Sequence, residues 1–196
     1  MNKRSAETSK QNILDTAMRV FAEHGYAQAS MRTIAQAADI SVGGLYIYFR
    51  SKEELFQTLM EQWIEDLTGR TSSALETASS PPEALRLFIA ISLDFARTHR
   101  EVFHQGSENG VSCAGESLLS FFRRRRRILE DIITAGISAG VFAPCPAEEA
   151  ARIIFCTLRG FFVSMPMDEE ALFSTEACVS LILNGLMARH PATDTR

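Results

Sequence analysis

The chain has one tryptophan, three tyrosines and four cysteines in 196 residues, and its strictly apolar stretches are only a handful of residues long. Nothing approaches the roughly 20 apolar residues needed to span a bilayer, so no membrane partner is expected. The polar start, Met1 to Lys10, carries Lys3, Arg4 and Lys10 with no apolar core after it. It therefore lacks the pattern of a secretory signal, and a cytoplasmic location is expected. The cysteines form no CxxC pair, which excludes a disulfide framework or a zinc ribbon on spacing. Cys156 and Cys178 lie in apolar helical runs and are expected as small core residues. Cys113 and Cys145 sit in loops marked by Gly or Pro, as reduced thiols or, in the sharper alternative, as redox sensors.

Excess positive charge is also missing. The net charge of −4 argues against a broad basic field for nucleic acid. The charge is uneven, with seven basic and six acidic residues in 1–56 against thirteen and eighteen in the remainder. A DNA contact is therefore plausible only at the N-terminal end, through well-placed residues. Catalytic patterns are absent too: there is no HExxH, nucleophile elbow or phosphate-binding glycine loop, and His24, His99, His104 and His190 are scattered. The expectation is a protein that is not an enzyme and needs no cofactor or metal. A site made from His99, His104 and Cys113 would have irregular spacing. A thiol- or metal-responsive regulator, or a helical enzyme that does not bind DNA, stand as alternatives.

What the sequence does contain is helical spacing nearly throughout. A first helix is expected over about 7–24, ended by His24-Gly25. A short one starts after Ser30 and stops near Ala38, Asp39-Ile40-Ser41 forms a turn, and a third covers about 42–49. Ser51 caps a long fourth helix to about Glu76, with Glu53 and Glu54 in its first turn. Ser79-Ser80-Pro81-Pro82 breaks the chain before a fifth helix to about Thr98 that is apolar almost all round. A short segment and a loop over 106–115 follow, then helices over about 116–139, 147–165 and 169–188. The fold class expected is all-α, with about nine helices.

Two short helices joined by a tight turn meet the geometric need of a helix-turn-helix, whose second helix enters the major groove. The specific part is the string Ile40-Ser41-Val42-Gly43-Gly44-Leu45-Tyr46-Ile47-Tyr48-Phe49-Arg50-Ser51-Lys52-Glu53-Glu54-Leu55. With Phe21-(x)3-Gly25-Tyr26 and Ser30-Met31-Arg32-Thr33-Ile34-Ala35, it resembles the TetR/AcrR family of bacterial transcriptional regulators over about residues 10–56. The resemblance implies a helix-turn-helix DNA-binding domain over 1–50 and a ligand-binding and dimerisation domain over 51–196. It also implies a homodimer, operator DNA and a small-molecule effector as partners, and repression as the family's usual mode. Leu45 and Phe49 pack back onto Ile34, Ile40 and the first helix, which leaves Tyr46, Ile47 and Tyr48 outward. Candidate DNA contacts are Ser30, Arg32, Ser41, Val42, Gly44, Tyr46, Ile47, Tyr48 and Lys52. Arg32 is the polar base reader, Ile47 can read only a thymine methyl, and Lys52 would hold a phosphate. Gly44 stands where many family members carry Thr or Ala, so recognition is expected to lean on phosphates, methyl contacts and DNA shape.

The resemblance places a ligand pocket among the helices between about residues 51 and 139. Candidate wall residues are Trp63, Leu67, Phe88, Ile91, Phe95, Phe103, Phe121 and Phe122, which suit an apolar or amphipathic anionic ligand. The last two helices would pair with their symmetry mates through Ile154, Leu158, Phe161, Phe162, Val179, Ile182 and Leu186, with Gly160, Ala177 and Gly185 permitting close approach. The run Arg123 to Arg127 covers a full helical circle at 100° steps. On the stripe of Leu118, Phe122, Leu129, Ile132 and Ile133, Arg125 falls inside and Arg126 at the edge, while Arg123, Arg124 and Arg127 face outward. A buried Arg125 needs an anionic partner, either an internal carboxylate such as Asp94 or Glu101, or a ligand.

Overall fold

The computed structural model describes residues 3–99, 115–164 and 173–187, and the segments between and beyond them are left aside. Among the described residues there are eight helices and no strand: α1 Lys3–Gln28, α2 Met31–Ala37, α3 Val42–Tyr48, α4 Lys52–Thr77, α5 Pro81–Thr98, α6 Gly115–Ser138, α7 Ala147–Ser164 and α8 Thr175–Leu186. The short segment expected after Thr98 lies outside the described residues. None of these helices is long and apolar enough to cross a membrane.

Serine starts helices at Ser30 and Ser51 as expected and also at Ser41 and Ser80. Ser30, Ser41, Ser51 and Ser80 each stand in extended backbone and accept a hydrogen bond from the backbone N–H three residues on, satisfying donors that a helix leaves open at its start. At α4 and α5 a glutamate three residues after the cap completes the arrangement. Glu54 accepts from the Arg50 N–H at 2.6 Å, and Glu83 from the Ser79 N–H at 2.8 Å, a variant of the capping box. Gly25 has φ +75°, which breaks the helical path of α1 at the expected place. The last helix differs from expectation. Phe173 and Ser174 are not helical, and Ser174 caps α8 through the Ala177 N–H at 3.1 Å, so no helix runs through from Glu169.

Two apolar clusters make up the core. One joins α1 to α4, from Ile13, Leu14, Phe21, Ile34, Leu45 and Phe49 to Leu55, Phe56, Leu59, Trp63 and Leu67, and reaches Phe95 and Leu118. Phe21, Tyr26 and Phe56 meet there with ring centroids 4.9–5.6 Å apart, so α4 is clamped to the N-terminal helices by aromatic edges. The second cluster gathers α5 to α8 around Leu85, Phe88, Ile89, Leu129, Ile133, Phe142, Ile154, Leu158, Phe161 and Val179. Phe142 lies on α6 where a Cβ on Gly136 would fall 2.0 Å from its ring, so only glycine fits. The linker closes on the end of α8, where the Ala143 N–H donates to the Leu186 carbonyl at 2.7 Å.

Candidate functional site

The helix-turn-helix is built as its sequence implies. Asp39 takes φ +54° in the turn, a conformation that Asp tolerates better than most residues. Leu45 and Phe49 are fully buried against the first cluster, which fixes the roll of α3. The outward side carries Val42, Tyr46 at 50% exposure and Ile47 at 78%. Tyr48 is half-buried and packs against the core cluster, so it presents only part of its ring. Arg32 is exposed on α2. Ser30 and Ser41 are exposed, but each hydroxyl already accepts as a helix cap, at 3.1 and 2.9 Å.

Lys52 departs from its expected role. Its Nζ donates to the carbonyls of Tyr26 and Ala29 at 2.7 and 2.9 Å and sits 4.4 Å from the Tyr26 ring centroid. An ammonium has three hydrogens, so Lys52 keeps at most one for a phosphate; its first task is to tie α4 to the end of α1. Those carbonyl acceptors lie 26 and 23 residues away and carry no side-chain signal. Tyr26 also donates its hydroxyl to Glu53 at 3.2 Å; hydrogen bonds from the Glu53 backbone and Ser51, with a smaller part from Tyr26, hold the Glu53 carboxyl below its ordinary range.

The arginine run takes the positions given by the helical wheel: Arg125 is buried, Arg126 half-buried, and Arg123, Arg124 and Arg127 exposed. Of the two expected carboxylate partners, Asp94 is not the one that meets Arg125. Asp94 is exposed and paired with Arg70 at 2.6 Å, and Glu101 lies outside the described residues. Arg125 instead donates Nη1–H to Thr71 Oγ1 at 3.0 Å and Nη2–H to Ser92 Oγ at 2.5 Å. The Phe88 and Phe121 rings lie over its guanidinium at 4.3 and 5.7 Å. Burial pushes its pKa down to about 10, which leaves it charged at neutral pH. Thr71 and Ser92 were missed in the sequence because a single hydroxyl in a helix is ordinary.

The other expected wall residues converge on the same region. Trp63, Leu67, Phe88 and Phe95 are buried, and Ile91, Phe121 and Phe122 are half-buried; Phe103 lies outside the described residues. The His99 ring stacks 4.4 Å from both Trp63 and Phe95, and burial there lowers its pKa. Beside this region a groove of about 400 Å³ runs between α4 and α6, lined by Glu61, Ile64, Glu65, Thr68, Gly69 and Arg124.

The expected pairing face of the last two helices needs correction. Ile154, Leu158, Phe161 and Val179 are buried inside the subunit, and Ile182 and Leu186 pack partly against the same cluster; the side chain of Phe162 lies outside the described residues. Ile154, Leu158, Phe161 and Val179 fill the space against α5 and α6 and so cannot form an outer face, whereas the half-buried Ile182 and Leu186 stay partly open. The residues that point outward are Ile153 at 66%, Leu181 at 77% and Met187 at 42%, with Cys156, Gly160, Ala177 and Gly185 beside them. Cys156 is thus a surface thiol, whereas Cys178 is a core residue as expected. Cys113 and His104 lie outside the described residues.

Comparison with known proteins agrees with this architecture. A family model described as bacterial regulatory proteins of the TetR family matches residues 13–59. The HTH-type transcriptional repressor KstR2 of Mycolicibacterium smegmatis is 30% identical over 139 residues, which is 69% of this chain and 68% of that protein. The fatty acid metabolism regulator protein of Bacillus subtilis is 31% identical over 162 residues, 81% of this chain and 84% of that protein. A solved structure of the transcriptional regulator FadR from Bacillus subtilis, in complex with stearoyl-CoA, has a TM-score of 0.71 at 22% identity, covering 89% of this chain and 98% of its own. The chain belongs to the TetR family and is a DNA-binding transcriptional regulator.

Proposed function

We propose that the chain works as a homodimeric repressor in the cytoplasm, without catalysing a reaction, and leaves its operator when a small ligand binds between α4, α5 and α6. The DNA-binding unit is 1–50, and residues 51–196 sense the ligand and dimerise. The carrying observation is the outer surface of α3. Ile47, Tyr46 and Val42 stand exposed on a short helix whose inner side is fully buried, and such a surface is costly in water unless a partner covers it. Ile47 and Val42 meet thymine methyls, Tyr46 and the exposed part of Tyr48 meet the phosphate backbone, and Gly44 lets that backbone come close. Arg32 reads a guanine edge. Ser30, Ser41 and the remaining hydrogen of Lys52 add phosphate contacts that position the helix.

The outward face of α7 and α8 supports the dimer. Ile153, Cys156 and Gly160 share one side of α7, and Ala177, Leu181 and Gly185 one side of α8, each at helical spacing. A Cβ added at Gly160 or Gly185 would meet no atom of the subunit within 4 Å, which leaves room for a second helix pair. Two recognition helices at fixed separation then match a two-fold operator. Trp63, Leu67, Phe88, Ile91, Phe95, Phe121, Phe122 and Arg125 bound the ligand, whose nature is apolar or amphipathic and anionic.

Selecting bound sequences from random double-stranded DNA, then measuring binding at several salt concentrations, tests this reading. A two-fold consensus that Arg32→Ala blurs at one position per half-site is expected. Recovery of no consensus, or full discrimination by Arg32→Ala, would overturn the assigned reading of DNA.

A further inference from the structure

We propose that Arg125 receives a carboxylate, the anionic head of an amphipathic effector whose apolar body lies along Phe88, Phe121 and Leu67. The inference deepens the reading above and rests on α4, α5 and α6 forming the effector site.

The side chain is 95% buried, at 5% exposure, in the middle of its helix bundle. Its two acceptors among the described residues are neutral. The Thr71 hydroxyl donates its own hydrogen to the Leu67 carbonyl at 2.6 Å, and the Ser92 hydroxyl to the Phe88 carbonyl at 2.6 Å. Both hydroxyls are therefore held as acceptors, with lone pairs toward the guanidinium. They orient the fork but contribute no negative charge, and the faces of Phe88 and Phe121 contribute only a quadrupole. No carboxylate among the described residues pairs with Arg125, since Asp94, the acid expected to do so, is engaged by Arg70. Desolvation lowers its pKa, and among the described residues no carboxylate neutralises the buried cation.

A charge held in this way is costly, and an apolar side chain of similar volume is usually the more stable choice. The cost is recovered when an anion arrives. Arginine has five N–H donors in a planar fork, of which two have acceptors among the described residues. A carboxylate matches that fork in plane and spacing, through two parallel charge-assisted bonds. The surround is aromatic and aliphatic, so an inorganic anion would gain little while an anion with an apolar body would gain both contributions. The groove between α4 and α6 lies beside this site on the Arg124 side, and its lining of Glu61, Ile64, Glu65, Thr68, Gly69 and Arg124 does not include Arg125.

Decanoate and 4-phenylbutyrate, each against its matched primary alcohol, test the proposal by calorimetry and thermal shift on the full chain without DNA. Each acid is expected to bind at least about tenfold tighter than its alcohol, and in Arg125→Met that ratio falls to about one. The unliganded Arg125→Met protein keeps a Tm at or above that of the parent, because Thr71 and Ser92 retain their helix bonds. Equal binding of acid and alcohol, no binding of either acid, an unchanged ratio in Arg125→Met, or a Tm lower by several degrees in that variant would each overturn the proposal. Release of selected operator DNA is scored separately. Acids that bind through Arg125 yet leave the DNA complex intact would sink the effector reading and keep the anion site. Alcohols that release DNA as well as the acids would do the reverse.

Discussion

At Gly43 an added Cβ would meet no atom within 4 Å, and the residue is exposed in α3. No packing inside the protein requires glycine there, although glycine weakens a helix by up to about 1 kcal/mol relative to alanine. A surface that must accept a closely approaching DNA backbone supplies the missing reason. Gly43→Ala is therefore expected to raise thermal stability slightly and to weaken operator binding by about tenfold (~1.4 kcal/mol). Titration of both proteins against selected DNA checks this, and an affinity that held while stability rose would refute it. His99 gives a second prediction at this scale. Its folded pKa lies below the ordinary 6.5 because Trp63 and Phe95 desolvate the ring, although Asp66 and Asp94 pull the other way and Arg70 adds to the lowering. For a base with a lowered folded pKa, the unfolded chain takes the proton first. Stability is thus intact above pH 6.5 and falls as pH drops below it. Melting curves from pH 7.5 to 5 should show the fall, and His99→Gln should flatten it; identical slopes in the two proteins would assign the acid sensitivity elsewhere.

Among the elements, legibility in the sequence followed how local the signal was. The caps at Ser30 and Ser51, the stop at Gly25 and the inward turn of Arg125 are set by residues within one or two helical turns, and these could be read. The outer face of α7 and α8 could not. Both helices carry apolar residues on more than one side, and only the positions of α5 and α6 decide which stripe is spent inside the subunit. Ile154, Leu158 and Val179 look as suitable for a partner as Ile153 and Leu181 until those neighbours are in place. The role of Lys52 and the acceptors of Arg125 were hidden for the same reason, since each partner lies 23 or more residues away. The two stripes make opposite predictions. Leu181→Glu is expected to leave helical content and Tm close to the parent while shifting sedimentation to monomer and abolishing operator binding. Val179→Glu buries an unpaired carboxylate and is expected to lose several kcal/mol, enough to unfold many domains of this size. A dimeric Leu181→Glu protein would remove this face from the interface.

In the whole molecule, the division proposed at residue 50 falls inside a continuous core. The first core cluster runs without interruption from Ile13 through Leu45 and Phe49 to Leu55, Phe56, Leu59 and Trp63. Lys52 and Glu53 bond across the same seam to Tyr26, and Gln62 on α4 donates to Gln11 on α1 at 3.0 Å. The first turns of α4 thus complete the core of the helix-turn-helix, and the match to the family model likewise extends to residue 59. A fragment of residues 1–50 would leave Phe21 and Tyr26 without Phe56. It is expected to show little cooperative melting by circular dichroism, whereas a fragment of residues 1–64 should melt cooperatively. Equal behaviour of the two fragments would show that α4 is dispensable to the DNA-binding core. Sharing α4 also gives a physical route for regulation, because the helix that carries Thr71 and Leu67 beside Arg125 is packed by its other end against α1. A ligand that prefers one placement of α4 then biases the spacing of two recognition helices, and by linkage bound operator must weaken that ligand by the same factor. Ligand affinity should fall when operator is bound, and a ligand affinity that operator leaves unchanged would break the coupling assigned to α4.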